Sequence, residues 1–347
     1  MAKTVMVNAT SLASGGGLTI LHQYIEYLST SVEVDVMYYI FVPDTCKPVD
    51  KKENVVYIRN SENAYYKSRN YWNLRGMRNW CKVNKIWPDE LYSMQNYFPF
   101  GFESEVKLKT LYLHQPIPFF DYAWCLFKKD ERILWFYKNI YYYLVKEGVK
   151  EADKVIVQTE WLKKRVVETL GCNRDKVVVE RPTIKNINAE AYKPIEGLKG
   201  MLRLFYPASE VIYKNHEVLY KAMDIIVNHH EIDDVVLYLT LDQHSPVALK
   251  YMNEFKLQKN VVLTGALNFQ QVMEYYKSVN ALVFPSKIET FGLPLVEAQQ
   301  FKLPIIASDM DLYREVIGDY EGNVLYCDGE DAHEWAKAIM ELRQASI

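Results

Sequence analysis

Short apolar runs alternate with amphipathic stretches along the 347 residues of this chain. Apolar runs of three to nine residues predict strands, and the longer stretches between them have the spacing of helices. This alternation is typical of α/β domains with parallel sheets. The predicted strands are 4–8, 34–42, 55–58, 109–113, 155–157, 202–206, 235–241, 261–264, 281–284 and 305–308.

The stretch 281–308 has the clearest order of elements. Its first strand is followed by a loop in which Gly292 permits a tight turn. Pro294 suits the first helical position, because its missing N–H would have no partner there. We therefore predict a helix that begins near Leu293 and ends before Leu303, followed by the strand 305–308.

The start of this helix has the chemistry of an anion site. The N–H groups of Phe291, Gly292 and Leu293 collect at a helix N-terminus, where a phosphate is stabilised. Glu289 and Glu297 frame the site, and acids beside an anion are favourable only if they address hydroxyl groups of the same ligand. The pattern indicates a ligand with a phosphate between two sugars, such as a nucleotide sugar.

Glu289 and Glu297, with Phe291-Gly292-Leu293-Pro294 between them, resemble the signature of family 4 glycosyltransferases. That family has the GT-B fold, in which two Rossmann-like domains face each other across a cleft. The resemblance implies that Glu289 lies by the donor sugar, Glu297 by the ribose, and the intervening amides by the sugar and diphosphate. In the plainer interpretation, both acids are solvated residues around an ordinary helix cap.

Three more positions of the second half gain a role from the resemblance. Lys214, in Tyr-Lys-Asn, matches the lysine that binds the donor diphosphate, although a solvated lysine before a helix is the alternative. The family usually has an arginine five residues earlier, where this chain has Ser209. Leu267 lies in a loop that the family places near the nucleotide base.

The first half contributes a glycine-rich loop and a histidine. The loop, 9–17, ends in Gly16 and Gly17, and Ile20 stands where a dinucleotide fingerprint has its third glycine. The loop is therefore either a plain connection or, by resemblance, a contact to the donor diphosphate. His114 follows a strand, at the edge where open α/β sheets bind ligands. It is either a structural residue or, by resemblance, a group near the donor sugar or acceptor.

Length and composition limit the possible architectures. The chain is long for one core, and we predict a first domain at 1–185, a linker at 186–200 and a donor-binding domain at 201–330. By resemblance, 331–347 forms a helix that packs back on the first domain. Five cysteines without a CxxC pair indicate reduced thiols in a cytoplasm. No signal peptide or spanning apolar run is evident.

Segment 65–88 contains six cations and no acid, interleaved with tyrosine and tryptophan. This composition is typical of a segment that lies on an anionic membrane surface. It also suits a clamp for the diphosphate-lipid head of an acceptor, or a solvated basic helix with its aromatic residues in the core. Nucleic acid is a poor partner, because the net charge is −3 and no binding motif accompanies the patch. The cations are Lys67, Arg69, Arg75, Arg78, Lys82 and Lys85.

The resemblance predicts a retaining, metal-independent transferase that needs no cofactor. It moves a sugar from a UDP- or GDP-linked donor to a glycan or lipid-linked acceptor, in bacterial surface polysaccharide assembly, with Glu289, Lys214 and His114 as catalytic candidates. The protein is expected in the cytoplasm, with a peripheral position on the inner membrane face as an extension. We interpret Asp309-Met310-Asp311 as a chance match to a metal-binding DxD. The alternatives are a nucleotide-sugar-binding protein without transferase activity and a nicotinamide-dependent oxidoreductase, the latter disfavoured by the missing fingerprint.

Overall fold

The structure, a computed structural model, describes residues 3–31, 33–47, 52–102, 106–184 and 186–345. The chain divides into two units, Met1–Thr183 and Ile184–Ile347. Each unit contains one sheet of parallel strands with its own helices.

Seven parallel strands form the sheet of the first unit, in the order β3-β2-β1-β4-β5-β6-β7. The order reverses between β1 and β4, and parallel strands place their carboxyl ends on one edge, where such sheets bind ligands. The strands are β1 (Lys3–Asn8), β2 (Val36–Val42), β3 (Val55–Arg59), β4 (Glu90–Ser93), β5 (Leu108–Tyr112), β6 (Lys154–Val157) and β7 (Val177–Val179).

Helices pack on both faces of this sheet. Alternate residues of β1 face opposite sides, so Val5 and Val7 pack with α1, whereas Met6 packs with α3, α5 and α6. None of the helices within the described residues is both long and apolar enough to cross a bilayer. The helices are α1 (Gly15–Ser31), α2 (Arg69–Tyr71), α3 (Met77–Asn84), α4 (Arg132–Phe136), α5 (Tyr142–Glu151) and α6 (Glu160–Leu170). The π-helical turns Trp72–Gly76 and Tyr137–Tyr141 join α2 to α3 and α4 to α5.

Helix α1 begins earlier than predicted. Gly16 and Gly17 lie in its first turn rather than in a loop, and the Leu18 N–H donates to the Ser14 carbonyl. Glycine is a weak helix former, but packing overrides this preference. A Cβ at Gly17 would lie 3.1 Å from Cδ2 of Leu12, so the glycine permits a close approach of the turn.

Two tryptophans of segment 65–88 are separated from two of its cations. Trp72 and Trp80 are 0% and 8% exposed, and both rings pack on Phe41. Both rings belong to the core, so they are not available to a lipid headgroup layer. Arg75 and Lys82 are exposed. The helical spacing explains the separation, because one face of this segment covers the sheet and the other meets solvent.

Six parallel strands form the sheet of the second unit, in the order β10-β9-β8-β11-β12-β13. Every residue of β9, β11 and β12 is buried, as expected for a sheet with helices on both faces. The strands are β8 (Leu202–Tyr206), β9 (Val235–Leu239), β10 (Val261–Leu263), β11 (Ala281–Phe284), β12 (Ile305–Ser308) and β13 (Val324–Cys327). The helices are α7 (His216–Asp224), α8 (Pro246–Glu254), α9 (Phe269–Ser278), α10 (Leu293–Gln300), α11 (Asp311–Ile317) and α12 (Ala332–Ala345).

The last helix, α12, packs on α7 within the second unit. Trp335 is fully buried. Arg343 donates two hydrogen bonds of 2.7 Å to the carboxylate of Asp234, just before β9. The packing of 331–347 on the first domain stays a prediction.

We expect Gly148→Ala to lower the free energy of unfolding by about 1–3 kcal/mol, because α5 has no room for a side chain there. A Cβ at Gly148 would lie 2.7 Å from Cα of Tyr97 and 3.1 Å from the carbonyl oxygen of Asn96. Gly16→Ala is the control, since nothing lies within 4 Å of a Cβ at that helical position. Urea unfolding measures both, and equal stability of the two variants would contradict the close approach.

Candidate active site

The strand-loop-helix-strand order predicted for 281–308 is confirmed. β11, α10 and β12 have the predicted bounds. Gly292 precedes α10 with φ +90°, a conformation that side chains rarely adopt. A Cβ there would also lie 3.2 Å from Leu295. Glycine is therefore required both by the backbone turn and by the packing.

The amides at the start of α10 are available to a ligand. Among the described residues, the N–H groups of Phe291, Gly292 and Leu293 find no acceptor. Phe291 itself is buried, which holds this end of the loop on the sheet. An anion at this point would meet unsatisfied donors and the positive end of the helix dipole.

Lys214 and Glu289 form an ion pair, although 74 residues separate them in the sequence. Their side chains are 18% and 16% exposed. Lys214 ends a 3₁₀ turn (Ile212–Lys214) after β8, and Glu289 lies in the loop after β11, the neighbouring strand. The sheet order thus brings together the two residues that the sequence assigned to diphosphate and sugar.

Asn215 connects the loops that carry this pair. It has a left-handed backbone, φ +58°, and its side-chain amide donates to the carbonyls of Pro285 at 3.2 Å and Gly329 at 2.7 Å. The N–H of Lys287 donates to the Tyr213 carbonyl at 2.8 Å and adds a second link. Sequence reasoning gave Asn215 no role. The sequence feature that could have identified it is an asparagine just before a helix, because asparagine tolerates the left-handed conformation.

Glu297 lies on α10, next to a tyrosine that the sequence analysis did not select. Its Oε2 accepts a hydrogen bond of 3.1 Å from the Tyr276 hydroxyl, and its Oε1 has no donor in the described part of the chain. Burial raises the pKa of Glu297, and the Tyr276 hydrogen bond partly offsets this shift. A partly buried carboxylate with one unoccupied oxygen is suited to accept from ligand hydroxyls.

Ser209 and Leu267 follow β8 and β10, on the same edge of the second sheet. Ser209 is exposed, and its neighbour Glu210 contacts the Ser245 hydroxyl at the start of α8. This position therefore supplies no cation. Leu267 is half-buried and precedes Asn268, which caps α9.

In the first unit, Gly16 and Gly17 follow β1, and His114 follows β5, on the carboxyl edge of that sheet. The N–H of His114 donates to the Asn96 side chain at 2.7 Å. Burial, and then the Arg69 guanidinium, lower the pKa of His114 to about 4, against a backbone hydrogen bond with Tyr112 that raises it. The imidazole is therefore neutral at neutral pH.

Residues 190–345 match the family model described as glycosyl transferases group 1. The O-antigen chain mannosyltransferase RfbU of Salmonella typhimurium is 23% identical over 212 residues, which are 60% of this chain and 56% of the relative. The serotype-specific mannosyltransferase WbdA of Escherichia coli is 35% identical over 86 residues, 25% of this chain and 10% of the relative. The matches support a group 1 glycosyltransferase. This chain spans about half the length of the first relative and a tenth of the second.

A solved structure extends the likeness to both units. Sucrose-phosphate synthase from Thermosynechococcus elongatus superposes with a TM-score of 0.72 at 16% identity, over 99% of this chain and 90% of that chain. The predicted α/β fold with two Rossmann-like domains, GT-B, is confirmed. At this identity, the likeness shows the fold alone.

Two buried histidines predict a loss of stability in mild acid. Burial, followed by the charge of Lys214, lowers the pKa of His216 to about 3. Because His114 and His216 have lowered pKa values, the unfolded chain takes up their protons first. Their contribution is complete above the unfolded pKa of about 6.5 and is lost as the pH falls towards the folded values.

We expect each histidine to cost about 1–2 kcal/mol between pH 7 and pH 5. His114→Gln and His216→Gln should each flatten the pH dependence of urea unfolding. His244→Gln, at an exposed position, should leave it unchanged. A wild-type stability that is constant over this range would contradict the neutral, buried state of both rings.

Proposed function

We propose that this protein is a retaining family 4 glycosyltransferase, which moves a sugar from a UDP- or GDP-linked donor to a glycan or lipid-linked acceptor. The observation that carries the proposal is the contact between Lys214 and Glu289, which lies two residues before the first of the unsatisfied amides at the start of α10. A cation, an acid and a helix N-terminus on one sheet edge match a ligand that has both phosphates and hydroxyls.

The donor diphosphate would take the N–H groups of Phe291, Gly292 and Leu293 together with the Lys214 ammonium. Oε1 of Glu297 would accept from the ribose hydroxyls. Glu289 is close enough to Lys214 to accept from hydroxyls of the sugar attached to the same diphosphate. Gly16, Gly17, Ser209 and Leu267 complete the proposed donor contacts by resemblance.

In the transfer, the bond between the anomeric carbon and the diphosphate oxygen breaks, the acceptor hydroxyl oxygen bonds to that carbon, and the hydroxyl proton passes to the departing diphosphate. Negative charge grows on the departing diphosphate, and Lys214 with the α10 amides stabilises it. This protein cation takes the role that a metal has in other transferases, so the reaction is proposed to need neither metal nor cofactor. Asp309, the first acid of the Asp309-Met310-Asp311 motif, is paired with Arg314 at 2.7 Å. His114 is proposed to contact the donor sugar or the acceptor.

The relatives narrow the first substrates to test. RfbU and WbdA are named as mannosyltransferases, and RfbU as acting on the O-antigen chain. We therefore propose a mannosyl donor and an acceptor of bacterial surface polysaccharide, handled on the cytoplasmic side. Binding without transfer is the second candidate, because exposed Ser209 supplies no second cation for the leaving group.

Release of UDP or GDP from a panel of nucleotide sugars, with a glycan acceptor, tests the proposal. We expect Lys214→Ala to lower turnover more than Lys214→Arg, because positive charge is what the leaving group needs. Glu289→Ala should mainly lower turnover. Glu297→Ala should weaken nucleotide binding by about 1–3 kcal/mol, the cost of losing charge-assisted hydrogen bonds.

Lys221→Ala is the matched control, since Lys221 belongs to an exposed ion pair on α7 with Glu217. Nucleotide binding that survives every substitution would refute the assignment of the site. Tight binding with no turnover of any donor would favour the binding protein, and binding of a nicotinamide dinucleotide instead would favour the oxidoreductase.

We also propose that the first unit contacts an anionic membrane surface. Arg75 and Lys82 of segment 65–88 are exposed beside Leu74 and Val83, which are 56% and 62% exposed. Cations next to apolar side chains are the combination that anionic lipid surfaces attract.

A second exposed apolar stripe lies along α4 and α5, and the buried side of α5 packs on the same sheet face as α3. Ile133, Phe136, Ile140 and Tyr143 recur at helical spacing and are all exposed, and Phe127 is 89% exposed. Exposed cations, Lys128 and Lys129, precede the stripe. Apolar rows of this length are uncommon on a free surface and mark a contact site.

We expect the protein to sediment with anionic vesicles at low salt and much less with neutral vesicles. Each cation near the surface contributes on the order of 1 kcal/mol, screened by salt. The double variant Arg75→Glu/Lys82→Glu should reduce sedimentation, as should Phe127→Ser/Ile133→Ser, while UDP or GDP affinity stays unchanged. Lys250→Glu/Lys337→Glu, at exposed positions of the second unit, is the control. Equal recovery with both vesicle types at every salt concentration would contradict this proposal. If Phe127→Ser/Ile133→Ser changed the oligomeric state without changing sedimentation, the stripe would be a protein interface instead.

A further inference from the structure

A network of polar side chains lies at the carboxyl ends of β4 and β5 in the first unit. Its centre is the Tyr141 hydroxyl, which donates to the Gln95 carbonyl at 2.9 Å. The same hydroxyl accepts from Nη2 of Arg69 at 2.9 Å and from Nδ2 of Asn96 at 3.4 Å. Oδ1 of Asn96 in turn accepts from the N–H of His114. The network therefore connects a cation of segment 65–88 to the catalytic candidate His114.

Arg69 has no negative partner in the part of the chain that the structure describes. Its guanidinium carbon lies 5.7 Å from the centre of the Tyr141 ring, and its Nε is buried without a hydrogen-bond partner. Burial raises the pKa of Tyr141 to about 12, so this phenol supplies no charge at neutral pH. A partly desolvated cation without a counter-charge is costly.

Three other arginines have a carboxylate partner, which Arg69 lacks among the described residues. Carboxylates pair with Arg165, Arg314 and Arg343 at 2.5 to 2.7 Å. Arg69 contacts only neutral groups, and its charge acts on His114, whose pKa is lowered first by burial and then by this guanidinium. One anion placed between the guanidinium and the imidazole would satisfy the free Nε–H and remove the unfavourable approach of two basic groups.

The local backbone geometry also indicates a functional site. Arg69 begins α2, the short turn that leads into the π-helical turn Trp72–Gly76, and Tyr141 ends the π-helical turn Tyr137–Tyr141. Such turns are rare and occur frequently at functional sites. Both partners of the Arg69–Tyr141 contact are thus positioned by irregular helix geometry, on the edge of the sheet where ligands bind.

We propose that Arg69 and His114 form a subsite for a phosphoryl group of the acceptor. The acceptor role rests on the proposed transferase function, whereas the binding of a phosphoryl anion does not. The planar guanidinium offers paired N–H donors that fit phosphate oxygens. Protonated His114 supplies a second donor once the anion is bound. A lipid diphosphate and a sugar phosphate both present this chemistry.

The test follows the ring resonances of His114 by NMR, assigned with His114→Gln, in the presence of saturating UDP and GDP to occupy the donor site. Inorganic pyrophosphate is titrated first. We expect its binding to raise the pKa of His114, because an adjacent anion favours the imidazolium. Arg69→Gln should weaken pyrophosphate binding about 10- to 100-fold, and Arg69→Lys should give an intermediate loss. Arg174→Gln, at an exposed position of the same unit, is the control.

Titrations with geranyl diphosphate and with mannose 1-phosphate then distinguish a lipid diphosphate from a sugar phosphate as the source of the phosphoryl group. Dependence of either on Arg69 supports the subsite, and the tighter ligand identifies the source. Unchanged pyrophosphate affinity in a folded Arg69→Lys protein would overturn the proposal, as would binding that leaves the His114 titration unmoved. If no nucleotide binds but pyrophosphate still requires Arg69, the transferase assignment fails while the anion subsite stands.

Discussion

Parallel hydrogen bonding between strands is the constraint on which both units depend. It places the carboxyl end of every strand on one edge, so loops that are far apart in sequence become neighbours. Lys214 and Glu289 meet because β8 and β11 are adjacent in the second sheet. Asn96 reaches His114 in the same way, since β4 and β5 are adjacent in the first. Neither contact depends on local sequence.

The parts of the fold that local chemistry determines could be predicted from the sequence. The bounds of β11, α10 and β12 follow from short apolar runs, Gly292 and Pro294, and the structure has them at those positions. β4 (Glu90–Ser93) was not predicted, because a charged first residue and a length of four give little pattern. Its strand character comes from hydrogen bonds to β1 and β5.

The site shows the same division. Glu289, Glu297 and Lys214 could be selected by residue type and spacing. In the structure, Glu297 contacts Tyr276, and Lys214 contacts Glu289. Asn215, Tyr276 and the Arg69–Tyr141 contact could not be selected, since each depends on a partner that is distant in sequence. Burial of Trp72 and Trp80 is likewise a tertiary outcome, because the same residues suit a membrane surface equally well by composition.

The ion pair in the second unit also affects ligand discrimination. With Glu289 beside it, Lys214 presents almost no net charge to the solvent, so a bare phosphate gains little from approaching the ammonium while the carboxylate is left without a partner. A ligand that brings hydroxyl groups together with its phosphates gives both members of the pair a new partner at once. Within the proposed function, the pair would therefore favour a ligand that carries both kinds of group over a free anion.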